Sequence, residues 1–135
     1  MLAKLLIRQG HEVLCGDRDL FRVRAFLGEH STLVIQRVTA RNPCSIVKAA
    51  KGCHLLVNAC LAVFNKTILR AALLLRSHCI DTASHLTQCP FRPEQHRFDR
   101  LFLEKNRLAL IHARAAPGLT NLLAMQAADG LDTIK

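Results

Sequence analysis

Leu55-Leu56-Val57 is the stretch that most restricts what this chain can become. Three bulky apolar residues follow one another without alternation, bracketed by Gly52 and Asn58. A strand with one wet face alternates apolar and polar side chains, whereas a strand of a parallel sheet, covered on both faces, does not. The run therefore predicts a strand over residues 55–59 that is buried on both faces. Its polar end matters because ligands of open α/β sheets sit outside the carboxyl ends of the strands. Asn58 is either the edge of such a site or the first residue of the next turn.

The rest of the chain supplies partners for that strand. Leu2, Leu5 and Leu6 share one helical face that ends at Gly10. Residues 12–15 read as a short strand closed by Gly16-Asp17-Arg18-Asp19. Asp19 suits the cap of a helix in which Leu20, Val23, Phe26 and Leu27 form the apolar side, with Arg22 and Arg24 opposite. Val34, Ile35 and Val38 give residues 33–38 strand character. Asn42-Pro43 pairs a capping side chain with a preset φ, opening a helix that runs to Lys51. A helix at 65–77, a strand at 78–81 and a loop at 84–92 follow. Pro93 opens a helix with Phe98, Leu101 and Phe102 on one face. A strand at 108–112 and a helix at 118–128, with Leu119, Leu122 and Leu123 together, complete the chain. One helix followed by five strand–helix alternations predicts an α/β fold, a parallel sheet with helices on both faces, in a single domain over residues 1–135.

Composition narrows the function classes. Half of the 135 residues are hydrophobic, which excludes a disordered tail. No apolar run approaches the ~18 residues of a membrane span. The start is too short and too soon charged to be a secretory signal, so no membrane association and a cytoplasmic location are expected. The six cysteines contain no C-x-x-C pair, and no metal site is expected from their spacing. A net charge of +9 raises nucleic acid as a partner. However, the basic residues are spread along the chain and there is no Tyr or Trp to stack bases, so solvated basic faces explain the charge better.

Gly16-Asp17-Arg18-Asp19, Leu55-Leu56-Val57-Asn58-Ala59, Ile80-Asp81-Thr82-Ala83 and Ala116-Pro117-Gly118-Leu119-Thr120-Asn121-Leu122-Leu123-Ala124 occur in that order. Together they resemble the nucleotide-binding domain of the saccharopine dehydrogenase family, over nearly the whole chain. The resemblance implies a Rossmann domain that binds NAD or NADP and an oxidoreductase acting on amino-acid-derived carbon–nitrogen bonds. It also implies a small amino-acid-derived substrate. By resemblance, Asp17 bonds the adenosine ribose, and Arg18 either stacks on adenine or meets a 2′-phosphate, which leaves NAD and NADP both open. Asn58 and Ala59 match the strand end near the nicotinamide, Asp81 and Thr82 the substrate side, and Pro117 and Gly118 the loop leading to a catalytic domain. No residue is assigned catalysis.

The family's first strand and its G-x-G-x-x-G turn would precede Met1, so the expectation is a partial domain with the first strand missing, a poor dinucleotide binder and inactive alone. Thr39, His54 and Cys79 depart from the family pattern, and Arg76 and Arg114 stand where glycine is usual. The alternative is a non-catalytic α/β scaffold acting through protein association, including a homo-oligomer, at the sheet surface left open.

Overall fold

The computed structural model describes residues 2–82, 94–115 and 118–130. Helix α1 (Leu2–Arg8) leads into strand β1 (Val13–Asp17) and helix α2 (Leu20–Leu27), followed by β2 (Leu33–Arg37) and α3 (Pro43–Ala49). Strand β3 (Leu55–Asn58) comes next. A 3-10 turn, Ala62–Phe64, then runs into α4 (Asn65–Leu75) and β4 (His78–Asp81). A second 3-10 turn, Glu94–Phe98, continues as α5 (Asp99–Glu104), before β5 (Ala109–Leu110) and α6 (Leu119–Ala128). Every ladder among the described residues is parallel, so the α/β class expected from the alternation holds. No helix among them is long and apolar enough to cross a membrane.

Local chemistry sets the helix starts. Asp19 Oδ1 accepts from the Arg22 N–H at 3.0 Å, and Asn42 Oδ1 from the Cys44 N–H at 2.9 Å, with Pro43 at the first helical position. Helix α3 stops two residues before the expected Lys51, because the Ala50 N–H closes the last turn on Ile46 and the Cys53 N–H then bonds back to Ala50. Strand β1 extends past Cys15 to Asp17, which lies opposite Arg37 in the ladder with β2. The 84–92 loop and Pro93 lie outside the described residues.

The strands form two sheets rather than one, β1-β2 and β3-β4-β5. No ladder joins β1 to β3, so among the described residues each keeps one unpaired edge. The expectation that β3 is buried on both faces is corrected as well: Leu56 is buried, but Leu55 is 45% exposed. Leu56 and Asn58 share the buried face, while Leu55 and half-buried Val57 share the other, so one face of the apolar run is covered and the second is not. Separately, the β1-facing edge opens on a cleft.

The core gathers on α4, where Ile68, Leu69, Ala71 and Ala72 are buried with Leu56 and Cys79 of the sheet and with Phe98 and Phe102. Other apolar faces expected from spacing stay open. Helix α2 buries only Leu27, while exposed Phe26 carries the Lys4 ammonium 4.4 Å from its ring centroid. Leu101 is exposed beside buried Phe98 and Phe102, and α6 buries no residue at all. Strand β5 is only two residues long, since His112, with φ of 61°, turns the chain out of strand geometry.

Arg76 caps α4 in the left-handed conformation, with φ 53° and ψ 39°. Its carbonyl accepts a hydrogen bond from the Arg107 guanidinium. The left-handed region crowds a Cβ but not a glycine. Arg76→Gly is therefore expected to raise stability by about 1 kcal/mol, read as a higher urea midpoint at unchanged m-value.

Candidate cofactor cleft

A cleft of about 500 Å³ lies between the unpaired edges of β1 and β3. Leu14, Val38, Ile46, Leu56 and Ile68 give it an apolar interior, and its polar residues come from the carboxyl ends of the strands. Asp17, Arg18, Asn58 and Ala59, named separately from the sequence, all line it. So do Arg41 and Cys60, to which sequence reasoning gave no site role, and Thr39, which the family resemblance set near the adenine in place of a usual Asp. The sequence signal of Arg41 and Cys60 is only that each follows a strand end by a few residues.

Parallel strands bring these ends together because each helix returns the chain to the same edge of the sheet. Asp17 Oδ1 accepts from the Asp19 N–H at 2.9 Å, while Oδ2 has no hydrogen-bond partner among the described residues. That oxygen suits a hydroxyl donor. Arg18 and Arg41 are exposed and outnumber the single carboxylate at the mouth, which favours an anionic ligand there. Burial pushes the Cys60 thiol up, the Asp17 carboxylate adds to the rise, and Arg18 opposes it. Cys15 is shifted upward by burial and by Asp17 as well. Both thiols are held protonated near neutral pH, which argues against either as a nucleophile.

Asn58 is 1% exposed and its side chain is turned inward. Its Nδ2 donates to Asn65 Oδ1 at 2.9 Å and to Asp81 Oδ1 at 3.1 Å, and its Oδ1 accepts from the Cys60 N–H at 2.9 Å. The Asn58 carbonyl accepts from the Thr82 hydroxyl at 2.8 Å and from the Thr82 N–H at 3.2 Å. Asp81 is equally buried. Its Oδ2 accepts from Gln95 Nε2 at 3.4 Å, and its carbonyl accepts from the Ala113 N–H at 2.9 Å. Asn58, Asp81 and Thr82 thus meet in one polar network that ties β3, α4 and β4 together. What Asn58 offers the cleft is its backbone and the adjacent Ala59.

Asn65 and Gln95 are members that the sequence did not reveal, since no local pattern marks two amides that far apart as neighbours. Pro117 lies outside the described residues. Gly118 precedes α6 with φ of 132°, and a Cβ there would collide with the carbonyl oxygens of His112 and Arg114, so no other residue fits. Close backbone approach, not a positive φ at Arg114, shapes that corner. His112 Nε2 is buried and has no hydrogen-bond partner among the described residues.

Removing the Asn58 side chain leaves buried acceptors on Asn65 and Asp81 without that donor. Asn58→Ala is expected to cost about 3 kcal/mol in equilibrium unfolding. Alkaline pH acts on a neighbouring group. Burial, then the Asp81 carboxylate, push the Cys79 thiol from 9.0 up to about 12. The folded pKa is raised, so the contribution is present below pH 9 and is lost as pH rises toward 12. Unfolding free energy should fall less steeply over that window in Cys79→Ala than in the parent chain.

The chain matches the family model described as the saccharopine dehydrogenase NADP binding domain over residues 1–120. No curated protein matches it.

Proposed function

The chain belongs to the saccharopine dehydrogenase NADP-binding domain family, and on that premise we propose that its cleft receives the adenosine end of a nicotinamide dinucleotide. The observation that carries this reading is the convergence of Asp17, Arg18, Asn58 and Ala59 on one cleft at the carboxyl ends of parallel strands. Asp17 Oδ2 accepts from a ribose hydroxyl. Arg18, with Arg41 beside it, meets the adenine or a 2′-phosphate, and the Asn58-Ala59 backbone borders the nicotinamide side. By the family resemblance Asp81, Thr82, Pro117 and Gly118 fall on the substrate side, toward a small amino-acid-derived molecule. Asp81 acts there through the buried network it shares with Asn58 rather than by lining the cleft. When bound, the dinucleotide supplies hydride transfer to or from a carbon bearing nitrogen.

A pyrophosphate is ordinarily held by a glycine-rich turn at a helix amino terminus. No G-x-G-x-x-G occurs in the 135 residues. The chain alone therefore holds a dinucleotide weakly and does not turn over substrate. NADPH and NADH titrations, followed by nicotinamide fluorescence, are expected to give dissociation constants near ~1 mM. Joining a strand that ends in G-x-G-x-x-G ahead of residue 1 should tighten binding about 100-fold, and Asp17→Ala in that longer chain should return about tenfold of it. No gain from the added strand would sink the dinucleotide reading. The two unpaired edges of β1 and β3 would then favour a scaffold that recruits a partner or a second copy.

A further inference from the structure

A second concavity, of about 610 Å³, opens between α4 and the segment formed by the Glu94–Phe98 turn and α5. Leu73 and Phe98 are buried in it, while Leu74 is 67% and Leu101 43% exposed. Both walls carry cations. Lys66 and Arg70 precede Leu74 at intervals of four along α4, and Arg97 and Lys105 flank Leu101 at the same interval on the other wall. On α4 that interval keeps Lys66, Arg70 and Leu74 on one helical face over roughly 12 Å, about two helical turns. On the other wall Arg97 lies in the 3-10 turn, Leu101 in α5 and Lys105 just after it, and all three line the concavity.

Glu94 is the only carboxylate lining the groove among the described residues, and it is bound by Lys66 at 2.7 Å. Arg70, Arg97 and Lys105 have no side-chain partner among the described residues. An apolar trough with unpaired cations on both sides is complementary to a helix with one apolar stripe flanked by carboxylates. Two other occupants fit less well. A second copy brings another net charge of +9, and a bilayer meets protruding apolar side chains rather than a trough between two helices.

We propose that the groove between α4 and α5 docks an acidic amphipathic helix. Its apolar stripe seats on Leu74 and Leu101, and its Asp and Glu side chains meet Arg70, Arg97 and Lys105. Exposed ion pairs of this kind add little individually and chiefly set orientation and encounter rate, so the leucines carry the affinity. This surface is separate from the cleft, and the proposal stands whether or not the cleft takes a dinucleotide.

The test uses the full chain and a fluorescein-labelled helical peptide of about 18 residues, with Leu at i, i+4, i+7 and i+11 and Glu on both flanks. Three controls accompany it: the same pattern with Lys flanks, a scramble of equal charge, and phosphatidylserine vesicles. Anisotropy should show the Glu-flanked peptide binding near ~10 μM and the scramble at least tenfold more weakly. Arg97→Glu with Lys105→Glu should cost tenfold or more and turn the preference toward the Lys-flanked peptide. Leu74→Gln should weaken both charge forms. Arg22→Glu with Arg24→Glu, on the far helix α2, should change nothing. Because all of these positions are exposed, circular dichroism should report an unchanged fold. Equal binding of the scramble, indifference to the Arg97 and Lys105 reversal, or capture by vesicles in place of the peptide would overturn the assignment.

Discussion

Ile46 and Ala50, on and just after α3, are where the two sheets are joined. Because β1 and β3 share no ladder, coupling between the β1-β2 sheet and the rest passes through helix packing instead. Ile46 and Ala50 are buried in the cluster built on α4, and Val38 and Ala40, which follow β2, pack against that cluster. Full burial of an Ile side chain contributes about 2 kcal/mol, so this seam is narrow. On the amino-terminal side of it only Leu27 is buried. Local opening free energy follows buried apolar contact, so α1, β1 and α2 lie at the low end of the stability range and the α4 core at the high end.

The same seam explains why a cleft exists at all. Helix packing holds β1 and β3 near enough to share Leu14 and Leu56 as lining, yet too far apart to hydrogen bond. Apolar side chains from both sheets therefore face an opening, with polar groups gathered at one end by the common direction of the strands. At that end the Asn58–Asn65–Asp81 bonds immobilise β3 against α4 and β4. The rim next to the cleft is rigid on the β3 side, while the β1 side, with Asp17 and Arg18, rests on the thinner half of the core.

Charge is distributed to match. The excess of Lys and Arg, diffuse along the sequence, becomes two local features once folded: Arg18 and Arg41 at the cleft mouth, and four cations around the α4–α5 groove. The first suits a small anion-bearing ligand and the second an extended acidic surface. These are separate consequences of one basic composition.

Much of this was legible in the chain itself. Asp19 and Asn42-Pro43 announced two helix starts through short-range hydrogen bonds and a fixed φ, and the structure uses both. The alternation of strand and helix, and the motifs from Asp17 to Gly118, pointed to a parallel α/β fold of the saccharopine dehydrogenase kind, because these features depend on neighbours within a few residues. What lay beyond that reach was decided only by tertiary structure. Leu55-Leu56-Val57 read as a strand covered on both faces, but coverage depends on what packs against each face of the sheet, and only the Leu56 face meets the α4 core. Leu101 and the α6 leucines had the right spacing for burial and are nonetheless exposed. Asn58 looked like a residue turned toward a site, yet its amide is bound to Asn65 and Asp81, since only folding sets which distant polar group a buried donor meets. Local pattern determined which elements form and where their polar ends lie, whereas edge pairing and burial, which depend on contacts between residues far apart in the chain, belonged to the folded structure alone.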